Sequence, residues 1–138
     1  MDSFAQNSGR RRILFMDDEE MLRSVVTRML EIMGYETVPA ADGEEAVRLY
    51  REAAEAGRPF DAVILDLSVP RGMGGREAMK RLLEIDPDVV ALISSGYLGD
   101  HALTEFRRYG FKGVVAKPYT SDELRDTLKG VLAGRVTS

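Results

Sequence analysis

Short apolar runs in this sequence end, one after another, in carboxylates, hydroxyls or an ammonium. Ile13-Leu14-Phe15-Met16 runs into Asp17-Asp18, and Ala62-Val63-Ile64-Leu65 into Asp66. Val89-Val90-Ala91-Leu92-Ile93 leads to Ser94-Ser95-Gly96, and Val114-Val115-Ala116 to Lys117-Pro118. If these runs are parallel strands, their carboxyl ends share one edge of the sheet, where ligands bind. Three carboxylates, a hydroxyl and an ammonium then converge on one small cleft. Such a set suits a hard divalent cation together with a phosphoryl group.

The segments between the runs must supply the crossovers. Residues 1–10 read as disordered, 11–132 as one folded domain and 133–138 as a tail. The first strand is 12–16, followed by a helix over 20–33 with Met21, Leu22, Val25, Met29, Leu30 and Ile32 as its apolar stripe. Gly34 stops that helix, and residues 35–39 form a strand whose Pro39 favours the sheet edge. Asp42 caps a helix carrying Ala46, Val47, Leu49, Tyr50 and Ala53, which ends near Gly57.

The nearly all-apolar run 60–65 reads as a central strand covered on both faces. A helix over 75–85, a turn at Asp86-Pro87-Asp88, a strand over 89–94 and a helix over 100–109 follow. Strand 113–116 precedes a last helix capped by Thr120 or Ser121, with Asp122 and Glu123 favoured in its first turn by the dipole. The pattern is (βα)5, which right-handed crossovers fold into a doubly wound α/β sandwich around a five-stranded parallel sheet.

Bulk properties narrow the function classes. A chain of 138 residues has room for one domain with a proper core. Its net charge of −4 argues against nucleic-acid binding, and Arg10-Arg11-Arg12 reads as a solvated strand entry. Without cysteine there is no disulfide or thiol chemistry. No signal-peptide pattern and no apolar stretch of membrane-spanning length is present, so a cytoplasmic domain without direct membrane contact is expected.

A strand-end aspartate such as Asp66 ordinarily caps a turn. Asp17-Asp18 at a second strand end changes that reading, because clustered carboxylates repel one another unless a cation joins them. Magnesium takes oxygen ligands and keeps several waters, so two carboxylates and a carbonyl suffice. Glu19 and Glu20 read only as an acidic first helical turn.

Met16-Asp17-Asp18-Glu19-Glu20, Leu65-Asp66-Leu67-Ser68-Val69-Pro70, Ser95-Gly96 and Lys117-Pro118, in that order, resemble the receiver domain of two-component response regulators. Residues 70–75 and 109–113 further resemble receivers attached to hybrid sensor histidine kinases. The resemblance implies a flavodoxin-like sheet in the order 2-1-3-4-5. It implies that Asp66 accepts a phosphoryl group from a phosphohistidine on a sensor histidine kinase or a histidine phosphotransfer domain, switching protein contacts. Asp18 would bind Mg2+ (or Mn2+) directly and Asp17 mainly through water, with Asp66 and the backbone carbonyl of Ser68 completing the ligands.

Lys117 would pair with a phosphoryl oxygen, its orientation set by a cis peptide before Pro118. Ser95 fits the family's hydroxyl position and Gly96 the small residue after it, with Ser94 the alternative. Val114 stands where many receivers carry an aromatic switch, and Gly74-Gly75 where Asp-Gly is common. Those departures bear on the output route and on the mobility of the loop, not on the chemistry. The only catalysis expected is the domain's own phosphorylation and dephosphorylation. The oligomeric state is open, a monomer being one possibility.

Other classes fit less well. A flavin binder needs a hydroxyl- and glycine-rich loop where this chain has Asp17-Asp18-Glu19-Glu20. An aspartate-phosphoenzyme hydrolase resembles a DxD pattern after its first strand, a spacing Asp17-Asp18 lacks. A receiver used only as a docking scaffold, independent of phosphorylation, is the alternative kept. His101 reads as a surface residue, since one histidine makes no zinc site, and Arg107-Arg108 as a charge-complemented helix end.

Overall fold

The computed structural model describes residues 10–67, 72–96 and 105–137, with side chains up to residue 134. Residues 1–9, Ser68, His101 and the first half of the helix expected at 100–109 lie outside the described residues. The elements are β1 (Arg12–Met16), α1 (Glu20–Ile32), β2 (Glu36–Ala40), α2 (Gly43–Glu55), β3 (Ala62–Asp66) and α3 (Gly75–Ile85). They continue with β4 (Ala91–Ser95), a 3-10 helix (Phe106–Tyr109), β5 (Gly113–Ala116) and α4 (Ser121–Thr137). All pairings are parallel, in the order β2-β1-β3-β4-β5, as the family resemblance implied.

Alternation along the strands builds two layers. Leu14, Met16, Val63, Leu65, Ala91 and Ile93 face α2 and α3, where they meet Val47, Tyr50, Met79 and Leu82. Ile13, Phe15, Ala62, Ile64, Leu92 and Val115 face α1 and α4, against Val26, Leu30, Leu124 and Leu128. β1, β3 and β4 lie inside the sheet and are buried on both faces apart from the half-buried Arg12, which explains their unbroken apolar runs. Pro39 is on the edge strand β2, where its missing N–H breaks no ladder.

Several local expectations need correction. The buried stripe of α1 runs through Leu22, Val26, Met29, Leu30 and Met33, whereas Met21 (78% exposed), Val25 (55%) and Ile32 (79%) point away from the sheet. Residues spaced 4, 3 or 4, and 3 apart from Leu22 keep one face toward the strands; Met21 and Val25 lie off it. β4 starts at Ala91 rather than Val89: Val89 N–H bonds back to Asp86 O and Asp88 N–H to the Asp86 carboxylate, and the first bond to β3 is accepted by Val90 O from Val63 N–H. β3 begins at Ala62 rather than Phe60 and reaches Asp66, since Leu67 N–H still bonds Ser94 O.

The described end of the 100–109 segment is a 3-10 turn, closed by Gly110 at φ 95°. Arg12 is more than a solvated entry: its guanidinium lies 4.5 Å from the Phe60 ring centre, pairs with Glu36 and donates to Arg58 O. Thr120, not Ser121, caps α4. Its hydroxyl accepts from Glu123 N–H while the Glu123 carboxylate accepts from Thr120 N–H.

Candidate functional site

The carboxyl ends of β1, β3 and β5 bring Asp17, Asp18, Asp66 and Lys117 together. One carboxylate oxygen from each of Asp17, Asp18 and Asp66 lies within 4.8 Å of the other two. Asp17 and Asp66 are buried, 0% and 2% exposed, while Asp18 opens to solvent. Two backbone contacts fix Asp17: its N–H donates to Ala40 O at 3.0 Å, and its own carbonyl accepts from Arg23 Nη1 at 2.8 Å. Its Oδ1 accepts from Glu19 N–H, which closes the turn into α1.

Lys117 Nζ sits 2.7 Å from Asp17 Oδ2 and 3.4 Å from Asp66 Oδ2. Burial alone would lower the Lys117 pKa, but the two carboxylates hold the proton on, and the net direction is up. The Lys117–Pro118 peptide is cis, and Lys117 N–H bonds Ser95 O at 2.8 Å.

Both serines at the end of β4 are fully buried. Ser94 is paired with Asp66 across the ladder, and Ser95 with Ala116. Alternation places the Ser94 side chain toward the α1 and α4 layer and the Ser95 side chain toward the other. A Cβ on Gly96 would meet nothing within 4 Å, so there is open space beside this position. Val114 is half-buried and packs against the α2 and α3 core.

Two glycines hold the ends of the loop after Asp66: Gly75, read in the sequence only as part of a departure bearing on the mobility of the loop, and Gly43, which was not singled out. A Cβ on Gly75 would stand 2.7 Å from Asp66 O, so α3 approaches the acceptor strand as only glycine permits. At Gly43 a Cβ would stand 2.7 Å from Met73 O, and its N–H bonds that same oxygen at 2.9 Å. The N-terminus of α2 thus fastens the far end of the loop. Gly43 follows a good N-cap residue, and that local signal hides this second duty.

The donor set fits a hard cation. It is all oxygen, two of its carboxylates are buried, and Lys117 offsets only one of the three negative charges. The cluster can therefore coordinate a divalent metal.

Residues 13–129 match the family model described as the response regulator receiver domain. The chain is a response regulator receiver domain. This receiver is 33% identical to sporulation initiation phosphotransferase F of Bacillus subtilis, over 88% of its own length and 93% of that protein's. It is 32% identical to response regulator GacA of Pseudomonas aeruginosa, over 90% of its own length but only 56% of that one. Among solved structures, a LuxR-family two-component response regulator from Aurantimonas sp. SI85-9A1 superposes with a TM-score of 0.80 at 34% identity, covering 91% of this receiver and 86% of that chain. The receiver thus spans nearly all of one relative and about half of another. Family and geometry together make it a phospho-accepting domain of two-component signalling, whose chemistry is its own phosphorylation and dephosphorylation.

Proposed function

We propose that Asp66 is the phospho-acceptor and that Asp17 and Asp18 hold Mg2+ beside it. The observation that carries this reading is the nearly buried Asp66 carboxylate, within 4.8 Å of two further carboxylates and 3.4 Å from the Lys117 ammonium. An Asp66 oxygen attacks the phosphorus of a partner's phosphohistidine. The P–N bond breaks, the imidazole leaves with its electron pair and takes up a proton, and an aspartyl phosphate remains. Water later cleaves that acyl phosphate and restores the carboxylate.

Bound Mg2+ would neutralise phosphoryl oxygens and hold the attack in line. Lys117 takes one phosphoryl oxygen, and the Ser95 hydroxyl another once the acceptor is modified. Gly96 leaves room beside it, and Pro118 sets the direction of Lys117. The Ser68 carbonyl, outside the described residues, is the expected third protein ligand. The donor is a sensor histidine kinase or a histidine phosphotransfer domain, which places the receiver in the cytoplasm. The resemblance of residues 70–75 and 109–113 to hybrid-kinase receivers supports a kinase as the natural neighbour.

The test is beryllofluoride or acetyl phosphate with Mg2+, beside an Asp66→Asn control, followed by intact mass and backbone amide shifts. A Mg2+-dependent response absent from the control is expected. Silence of the wild type toward beryllofluoride would turn the reading to a phosphorylation-independent docking scaffold.

A further inference from the structure

Asp18 is the solvent-open member of the carboxylate cluster, and its side chain has no hydrogen bond or ion pair among the described residues. Its direction over the cleft is therefore set by its backbone. Both peptides that flank it are pinned. The Asp17–Asp18 peptide is held at its carbonyl, which accepts from Arg23 Nη1 at 2.8 Å. The Asp18–Glu19 peptide is held at its N–H, which donates to Asp17 Oδ1 at 2.9 Å. Arg23 N–H in turn bonds Glu19 O at 2.9 Å, so one residue of α1 ties this turn at its start and at its end. The Arg23 side chain is half-buried and pairs with no carboxylate among the described residues. Glu19 and Glu20 stand four and three residues before it, the spacing at which side chains along a helix ordinarily meet, yet the guanidinium is turned to the Asp17 carbonyl instead.

A peptide is planar, so fixing one of its polar atoms restrains the whole unit. With both neighbouring peptides fixed, the Cα–Cβ bond of Asp18 keeps one direction. The arginine donor makes the bond to the carbonyl charge-assisted, and that carbonyl belongs to a fully buried residue. We propose that Arg23 is a positioning residue for the metal: by holding the Asp17 carbonyl it aims the Asp18 carboxylate into the cluster. This rests on Asp17 and Asp18 being the Mg2+ ligands. The charge of Arg23 acts in the opposite sense. A guanidinium beside the cluster repels a divalent cation, so removing it as a mere charge tightens Mg2+ binding. Removing it as the group that orients a ligand weakens Mg2+ binding. The two roles differ in sign.

The experiment titrates the full chain with Mg2+ in wild type, Arg23→Met, Arg23→Lys and Asp18→Asn, following the Asp17, Asp18 and Asp66 amides. Urea unfolding without divalent ions shows that each variant is folded. Arg23→Met keeps the reach of the side chain without its charge or donors. It is expected to shift the Asp18 amide in the Mg2+-free protein and to raise the Mg2+ Kd about tenfold, as loss of a group behind a ligand does. Arg23→Lys, which keeps the charge and a donor, is expected to recover most of that loss. An Arg23→Met Kd within about twofold of wild type, or tighter, overturns the proposal, since a positioning group costs more than that. So does an Arg23→Lys that binds no better than Arg23→Met. If Arg23→Met does not fold, Arg23→Lys decides alone: a displaced Asp18 amide with an unchanged Kd overturns the proposal, and the two moving together supports it. A wild type without any Mg2+ response, or an Asp18→Asn that binds as wild type does, removes the metal reading and this inference with it.

Discussion

Lys117 is the one described cation among three carboxylates, and the acidic edge depends on it. Lys117→Met should leave Asp17 and Asp66 facing each other uncompensated. Because Lys117 is partly exposed, the loss is expected at roughly 1–2 kcal/mol, below that for a fully buried pair; urea unfolding without divalent ions measures it. The same residue sets a pH dependence. Its folded pKa is raised above the ordinary 10.5, so its contribution is complete below 10.5 and is lost as pH rises through the folded value. Tyr119 has the same sign, because burial favours the neutral phenol and the folded state keeps its proton beyond the ordinary 10.0. The urea midpoint should therefore hold up to about pH 9 and fall above about pH 10, less steeply in Tyr119→Phe.

At the scale of the element, the faces of α1 and the ends of the loop after Asp66 carry the clearest consequences. Leu30 is fully buried and Val25 is more than half exposed, although both belong to the apolar set of the same helix. Leu30→Ala should cost about 2–5 kcal/mol and Val25→Ala within about 0.5, a contrast chemical denaturation resolves easily. Gly75→Ala forces a methyl against the Asp66 carbonyl, and Gly43→Ala forces one against Met73. Each should lose about 1–3 kcal/mol, as overpacking against backbone does, and Gly75→Ala should also shift the Asp66 amide resonance. A mutation that unfastens this loop acts on the acceptor without touching its chemistry.

For the molecule as a whole, two apolar layers fix a sheet whose carboxyl edge is held against its own charge repulsion. A cation bound there adds to global stability by mass action, by about 2.7 kcal/mol at a hundredfold excess over Kd. Mg2+ should raise the thermal midpoint of the wild type. Asp18→Asn, which removes the solvent-open ligand and leaves Lys117 on its two partners, should blunt that rise. A calorimetric series in Mg2+ reads both.

The parallel (βα)5 order, the central strands and the grouping of Asp17, Asp18, Asp66 and Lys117 are written in the order of residues along the chain. These are matters of period and order: buried strands must be apolar throughout, and right-handed crossovers leave their carboxyl ends on one edge. The Asp42 cap and the edge position of Pro39 were legible for the same local reason. Which apolar side of α1 is buried was settled by packing, because several partial stripes share that helix and contact with the sheet chooses among them. Tertiary contacts also set where the strands begin, since Asp86 and Asp61 compete for backbone N–H groups at the far edge. Gly43, Gly75, Ser94 and Tyr119 gained their places through neighbours many residues away, a relation no spacing along the chain expresses.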